Sequence, residues 1–183
     1  DDGGNTAQCP AVVTVVDNIA PTAACQNITI QLNGAGNASI VAADINNGSS
    51  DNCPGFTLSA SQTSFTCANV GANTVTLTVT DASGNQSTCD ATVTVVDNVD
   101  PAITCPANIT VSNDAGICGA VVNYTTPVGT DNCSGVTTVM TAGLASGSQF
   151  PVGTTTVTYE VTDAVGLTAS CSFTVTVNDT EAP

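Results

Sequence analysis

The sequence predicts an all-β chain of tandem immunoglobulin-like β-sandwich repeats. Three observations predict it: valine alternating with threonine at period 2, turn signals at short intervals, and a unit of about eighty residues that recurs along the chain. Residues 73–101, NTVTLTVTDASGNQSTCDATVTVVDNVDP, return as residues 154–183, TTTVTYEVTDAVGLTASCSFTVTVNDTEAP. The opening DDGGNTAQCPAVVTVVDNIAP matches the second half of the same unit, with Asp1 on Asp81, Cys9 on Cys89, Asp17 on Asp97 and Pro21 on Pro101. The expected organisation is therefore the last strand of a preceding repeat plus linker over 1–21, repeat one over 22–101, and repeat two over 102–183. Glu181-Ala182-Pro183 leads towards a next repeat. With neither an initiator Met nor a signal-peptide pattern, the chain reads as a mature or excised segment.

Taken in order, Val75, Leu77 and Val79 alternate with threonines, as do Val93 and Val95, then Val157, Tyr159 and Val161. Each run is a half-buried strand. Turns are expected at Asn33-Gly34, Asn47-Gly48, Asp81-Ala-Ser-Gly84 and Asp163-Ala-Val-Gly166, and no segment has helical periodicity. Seven or so short strands in each unit of about eighty residues suit an immunoglobulin-like sandwich. Hydrophobic residues make up 42% of the 183, enough for a folded core, but aromatics only 3%, with no Trp. The core must come from valine, isoleucine, threonine methyls and disulfides.

Charge removes several functions. The chain has no Lys, Arg or His and a formal net charge of −15. Without cations it cannot neutralise phosphates or dock on anionic membranes, which excludes nucleic-acid and anionic-membrane partners. It lacks an imidazole metal ligand, a Schiff-base lysine and a conventional base near neutral pH, and a Lys–Asn isopeptide link cannot form. No histidine or lysine activates a serine, and no aromatic platform lines a sugar cleft, so no enzyme is expected.

Residues 102–183 resemble a hyalin-repeat (HYR) domain. The resemblance is carried by Ile103-Thr-Cys105-Pro106, Asn108-Ile-Thr-Val111, Asp131-Asn-Cys133, Gly143-Leu144, Phe150-Pro-Val-Gly153 and Cys171-Ser-Phe-Thr-Val-Thr-Val177. The first repeat is similar to Ig-like repeats of large secreted bacterial surface proteins through Asp51-Asn-Cys53, Phe65-Thr-Cys67 and Asn69-Val-Gly71. It lacks the Phe-Pro-Val-Gly motif and the Cys-Pro pair. The resemblance implies an immunoglobulin-like fold, an adhesive or spacer role, and no catalytic residues.

Nine cysteines with no CxxC pair point to disulfides and an oxidising, extracellular compartment rather than zinc. Cys25 and Cys89 flank repeat one as Cys105 and Cys171 flank repeat two, and first and last strands of such sandwiches lie side by side. Cys25–Cys89 and Cys105–Cys171 are expected on that ground, and Cys53–Cys67 and Cys118–Cys133 by elimination. Sequence does not fix connectivity. Cys9 is left over, for a partner in a preceding repeat or in another subunit; a donated strand, as in pili, finds no obvious acceptor groove.

The same topology brings the linker, the loop before the third strand and the last hairpin turn to one end of each repeat. That would gather Asp17, Asp51 and Asp81 in repeat one, and Asp97, Asp100, Asp131 and Asp163 in repeat two. Two readings stand: Ca²⁺ held at repeat junctions by hard oxygen donors, or Asx turns in which Asp caps its own backbone. Sequons at Asn27, Asn37, Asn47, Asn85, Asn108 and Asn123, with Asn132 beside a cysteine, suggest a glycoprotein, against a bare polar β surface. The function expected is a secreted, disulfide-stapled structural module of an extracellular filament or cell-surface stalk, whose partners are neighbouring copies or repeats, with glycans as a further partner class. The alternative is an adhesin or ligand-binding module, although the loops offer few hot-spot side chains.

Overall fold

The computed structural model describes residues 2, 3 and 6–182. Asp1, matched above to Asp81, and Pro183, the last residue of the closing Glu181-Ala182-Pro183, lie outside the described residues. Among these, the chain is all-β, with twelve strands and two short 3-10 turns, Ala42–Ile45 and Cys67–Asn69. The 3-10 turns are the only helical elements among the described residues, and neither was read from the sequence. The first forms because the Val41 N–H donates to Asp44 Oδ2 at 2.7 Å, which starts the turn and sinks Ile45 into the interior.

The strands are β1 (Ile28–Gln31), β2 (Asn37–Ser39), β3 (Phe56–Ala60), β4 (Ser64–Thr66), β5 (Gly71–Asp81), β6 (Gln86–Val96), β7 (Ile109–Ser112), β8 (Gly119–Val122), β9 (Thr137–Ala142), β10 (Ser148–Pro151), β11 (Gly153–Thr162) and β12 (Thr168–Asn178). They form two four-stranded sheets, ordered β1-β6-β5-β3 and β7-β12-β11-β9, and two two-stranded sheets, β2-β4 and β10-β8. This is the tandem immunoglobulin-like sandwich plan, a four-stranded and a two-stranded sheet occurring twice.

The chain divides into two compact units: residues Asp1–Ile28, Val41–Thr63 and Thr74–Thr92, and residues Thr29–Ile40, Ser64–Asn73 and Val93–Pro183. In the first, Val75, Leu77 and Val79 point inward at 0% exposure. Their threonine neighbours face outward, as a period-2 strand requires. Strand β3 pairs antiparallel with β5 from Phe56↔Asp81 to Ala60↔Leu77. Residues 6–20 join no strand among the described residues, and Val12 and Val15 stand 93% and 91% exposed. The alternation there is a strand pattern, but a strand exists only in a ladder, and no described segment pairs with it.

In the second unit the β11–β12 hairpin runs in unbroken register from Gly153↔Val177 to Thr162↔Thr168. Strand β7 adds to β12 in parallel, and β9 adds to β11 with a bulge at Thr158/Tyr159. Val157, Tyr159, Phe173, Val175 and Val177 from this sheet pack against Ala120 and Val122 of β8 and Phe150 of β10. Tyr124 closes the core edge: its ring meets Phe173 edge-on at 4.9 Å, and its hydroxyl donates to the Leu144 carbonyl at 2.7 Å, leaving Tyr159 Oη 3.1 Å away. Gly143 precedes that carbonyl at φ +93°, where a Cβ would sit 2.7 Å from the Thr156 carbonyl oxygen. The Gly-Leu motif is thus a close backbone crossing.

Three disulfides form, Cys25–Cys89, Cys67–Cys133 and Cys105–Cys171, while Cys9, Cys53 and Cys118 are free and exposed. The first and last join the segments flanking each repeat, as strand adjacency suggests. The pairs Cys53–Cys67 and Cys118–Cys133 do not form. Elimination assumed that every cysteine bonds within its own repeat, and the geometry breaks that assumption. Gly36 carries no side chain in the turn before β2, so the Asp131–Cys133 loop lies against it. A Cβ there would be 2.7 Å from Cys67 Sγ and 2.8 Å from the Asn132 carbonyl. Cys67, opening its 3-10 turn, therefore meets Cys133 at a Cα separation of 5.6 Å, within disulfide range.

Burial first, and the hydrogen bond with Tyr159 second, push the Tyr124 phenol from 10.0 up to about 12. The neutral form is favoured in the fold, so this stabilisation is complete below pH 10 and is lost as pH rises towards 12. The chain's two tyrosines make an absorbance titration clean. A late transition that Tyr124→Phe removes is expected, and a folded protein without one would contradict the packing.

Candidate functional site

Asp17, Asp51 and Asp81 converge in the first unit, one ligand oxygen of each lying within 4.8 Å of the others. Each comes from a different segment for a local reason. Asp17 makes an Asx turn, its Oδ1 accepting from the Ile19 N–H at 3.0 Å. Asp51 Oδ2 accepts from the Cys53 N–H at 3.1 Å. Asp81 ends β5, and its Oδ1 accepts from the N–H groups of Ser83 and Asn85 at 2.9 and 2.7 Å. Asn85 then ties the group together: its Nδ2 donates to Asp81 Oδ2 at 2.8 Å and to the Asp17 carbonyl at 3.0 Å.

These are turn-capping contacts, so the Asx-turn chemistry read from the sequence is present. It does not saturate the site. Asp51 Oδ1 is buried with no hydrogen-bond partner. No lysine, arginine or histidine exists to neutralise the three carboxylates. A buried carboxylate oxygen left bare costs desolvation energy that a hard cation would recover.

The second set assembles differently. Asp97 and Asp131 come together, but their third neighbour is the sulfur of Cys133. That sulfur is bonded to Cys67, so it is no thiolate donor. Asp100 and Asp163, expected in this cluster, are not among the ligand atoms so gathered. Asp163 Oδ1 is consumed by its own turn, accepting from Val165, Gly166 and Leu167 N–H groups at 3.0, 2.6 and 2.7 Å. Its Oδ2, like Asp131 Oδ1, is buried and unpartnered. The difference from Asp81 has a single-residue cause: Leu167 stands where Asn85 stands, and supplies no amide to the second oxygen.

The sequence offers Asn132 as part of the Asp131-Asn-Cys133 motif and as a sequon beside a cysteine, with no contact assigned to it. In the structure its Nδ2 reaches Asp97 Oδ1 at 3.1 Å and the Asn33 carbonyl at 3.2 Å, fastening the Asp131–Cys133 loop where the disulfide closes. The recurrence of Asp-Asn-Cys at 51–53 and 131–133 was the available signal. Among the sequons, Asn27, Asn37, Asn47, Asn108 and Asn123 are exposed, whereas Asn85 is half-buried with its Nδ2 committed to the acidic cluster. Asn27 and Asn108 also brace the last strands of their repeats, their Oδ1 atoms accepting from Thr92 and Thr174 N–H groups at 2.7 and 2.9 Å.

Cys53 shares a hydrogen bond with Asp17. The Ile19 N–H first, then the Cys53 thiol, hold the Asp17 carboxyl below its ordinary value. The same Asp17 bond, followed by desolvation, pushes the Cys53 thiol above its ordinary 9.0. Cys53 should therefore alkylate with a pH midpoint above 9.0, and Asp17→Asn should move the midpoint down and speed the reaction near neutrality. Identical iodoacetamide rates in the two proteins would refute the contact.

Residues 96–177 match the HYR domain family. The chain is 39% identical over 187 residues to hyalin of Strongylocentrotus purpuratus, covering 97% of this chain and 15% of that protein's length. The bacterial source suggested by the first repeat has no support in this relative, which is from a sea urchin. Similar solved structures include human protocadherin-24 EC1-2, at 15% identity and TM-score 0.40 over 90% of this chain and 100% of that one. Another is Drosophila N-cadherin EC1-4, at 13% identity and TM-score 0.42 over 88% of this chain and 50% of that one. The segment 96–177 that matches the HYR family holds the Cys105–Cys171 bond, the Tyr124–Leu144 crossing and the buried Phe150 of the second repeat.

Proposed function

We propose that this chain is a non-enzymatic structural module of an extracellular filament or cell-surface stalk, made of repeats over 22–101 and 102–183 with 1–21 belonging to a preceding one. The observation that carries this reading is the Cys67–Cys133 bond, which ties the turn after β4 to a loop 66 residues further on. A cross-link of that span contributes about 4 kcal/mol in the chain-entropy picture, and it joins a residue of 22–101 to one of 102–183 within the second compact unit. Its formation, with two further disulfides, favours a secreted protein. The uniform negative charge supports a soluble, self-repelling module.

Ca²⁺ at Asp17, Asp51 and Asp81 is the second part of the proposal, supported by the bare Asp51 Oδ1 and by three carboxylates whose ligand oxygens lie within 4.8 Å of one another. The ion would pin the linker residue Asp17 to the loop and the hairpin of the repeat that follows it. Saturating Ca²⁺ should then raise Tm by roughly 5–10 °C over a chelated sample, the linkage expected at about a hundred times Kd. Asp51→Asn should abolish the difference. A chelator-insensitive melt at low ionic strength would eliminate the ion. Electron microscopy of the native protein tests the larger claim: filaments or stalks with an axial period of one or two repeats are expected, and isolated globules would overturn it.

A further inference from the structure

The fold treats its sequons unequally. An N-linked sugar replaces one hydrogen of Nδ2 and leaves the Oδ1 acceptor in place. A glycan is therefore compatible with a fold that holds the asparagine by Oδ1 alone, and incompatible with one that spends Nδ2. Asn85 and Asn132 are of the second kind. Asn85 Nδ2 donates to Asp81 Oδ2 at 2.8 Å and to the Asp17 carbonyl at 3.0 Å. Asn132 Nδ2 donates to Asp97 Oδ1 at 3.1 Å and to the Asn33 carbonyl at 3.2 Å. Both side chains are half-buried, so a sugar on either would break contacts that hold the acidic loops.

Asn27 and Asn108 are of the first kind, and they hold the same place in the two repeats. The triplet Asn-Ile-Thr spans 27–29 and recurs at 108–110, running into β1 and β7. In each triplet the asparagine and threonine are exposed and the isoleucine between them is half-buried, the alternation of a strand that begins there. Asn27 Oδ1 accepts from the Thr92 N–H at 2.7 Å, and Asn108 Oδ1 accepts from the Thr174 N–H at 2.9 Å. The second bond takes up the last-strand N–H just before the ladder of β7 with β12 opens at Ile109↔Val175. Each oxygen is thus anchored on the sheet. Each Nδ2, on an exposed side chain, makes no hydrogen bond among the described residues.

The surroundings of these two positions give a sugar something to do. β1 and β7 are the outermost strands of their four-stranded sheets, bonded on one side to β6 or β12 and carrying no further strand on the other. Their sequences, ITIQ and ITVS, contain neither a charge nor a proline, the residues that guard open edges against strand addition. A bulky, hydrated oligosaccharide rooted one residue before each strand supplies that guard. We propose that Asn27 and Asn108 carry N-linked oligosaccharides, one in each repeat, which cover the open edges of β1 and β7, and that Asn85 and Asn132 stay bare in the folded protein. The donor is an oligosaccharide on a lipid diphosphate. Its sugar C1–O bond breaks with the electron pair leaving on the diphosphate, C1 bonds to Nδ2, and one amide proton passes to a base of the transferase. Nothing is oxidised or reduced.

The full chain is secreted from cultured insect cells, its sugars are released by a glycosidase in heavy-oxygen water, and the tagged sites are mapped by mass spectrometry. Pepsin makes the fragments, since trypsin has no site. The tag is expected at both Asn27 and Asn108 and at neither Asn85 nor Asn132. Thr29→Ala/Thr110→Ala removes both sequons but keeps each asparagine and its Oδ1 bond. That variant should lose both tags and keep the three disulfides, whereas Thr29→Ser/Thr110→Ser should retain the tags. At about 1 M salt, where the Debye length is about 3 Å and charge repulsion is screened, light scattering should show the alanine variant associating while the glycosylated parent stays monomeric. The parent stripped of its sugars should associate likewise. An untagged Asn27 or Asn108, or a tagged Asn85 or Asn132 in the folded chain, would overturn the site assignment. Bare protein as monomeric as the parent would overturn the covering role. The module reading stands or falls separately, on the calcium and microscopy tests.

Discussion

The long hairpin ladder is the interaction on which the rest depends. From Gly153↔Val177 to Thr162↔Thr168, β11 and β12 hold one register, and a slip of one residue would turn Val157, Tyr159, Val161, Phe173, Val175 and Val177 out of the core together. The ladder gives β7 an edge for parallel pairing and β9 an edge on the other side. It sets Cys171 beside the segment carrying Cys105, and it delivers Asp163 to the turn at its tip. β5 and β6 do the same for Cys89 and Asp81.

A chain without cations has to manage its carboxylates by other means, and it uses backbone N–H groups. Asp17, Asp97 and Asp179 each cap the N–H two residues on, and Asp51 and Asp131 cap the cysteine of their own loop. Such caps satisfy one oxygen. Asn85 satisfies Asp81's second, and Leu167 leaves Asp163's bare. The carboxylate oxygens that remain unpaired, Asp51 Oδ1, Asp131 Oδ1 and Asp163 Oδ2, mark where an external cation has the most to gain.

Cross-linking carries what the core cannot. With aromatics at 3%, only Phe65, Phe150 and Phe173 among the phenylalanines, and Tyr159, put rings deep in the interior. Disulfides within the repeats offset the thin core by restricting the unfolded chain. The Cys67–Cys133 bond has a different consequence, since it joins a strand end to a loop far along the sequence.

The sequence by itself determined what is local. Alternation at Val75–Val79 and Val157–Val161 specifies strands because side chains project at period 2 whatever the surroundings. The Asp-x-x-Gly turns follow because Asp caps its own backbone and Gly takes positive φ. Repetition specified the class of fold and the convergence of Asp17, Asp51 and Asp81, since strand direction assigns loops to ends. Only the tertiary structure decided matters that depend on which distant backbone comes close. The valine-rich run at 11–16 has strand composition and forms no strand, for want of a ladder. Cys133 bonds Cys67 rather than Cys118 because Gly36 lets one loop approach, which spacing cannot express. Asp163 drops out of the second carboxylate set, its Oδ1 taken by three N–H groups of its own turn while Cys133 sulfur stands beside Asp97 and Asp131. Local propensity is written residue by residue; long-range pairing is settled by where the folded backbone leaves room.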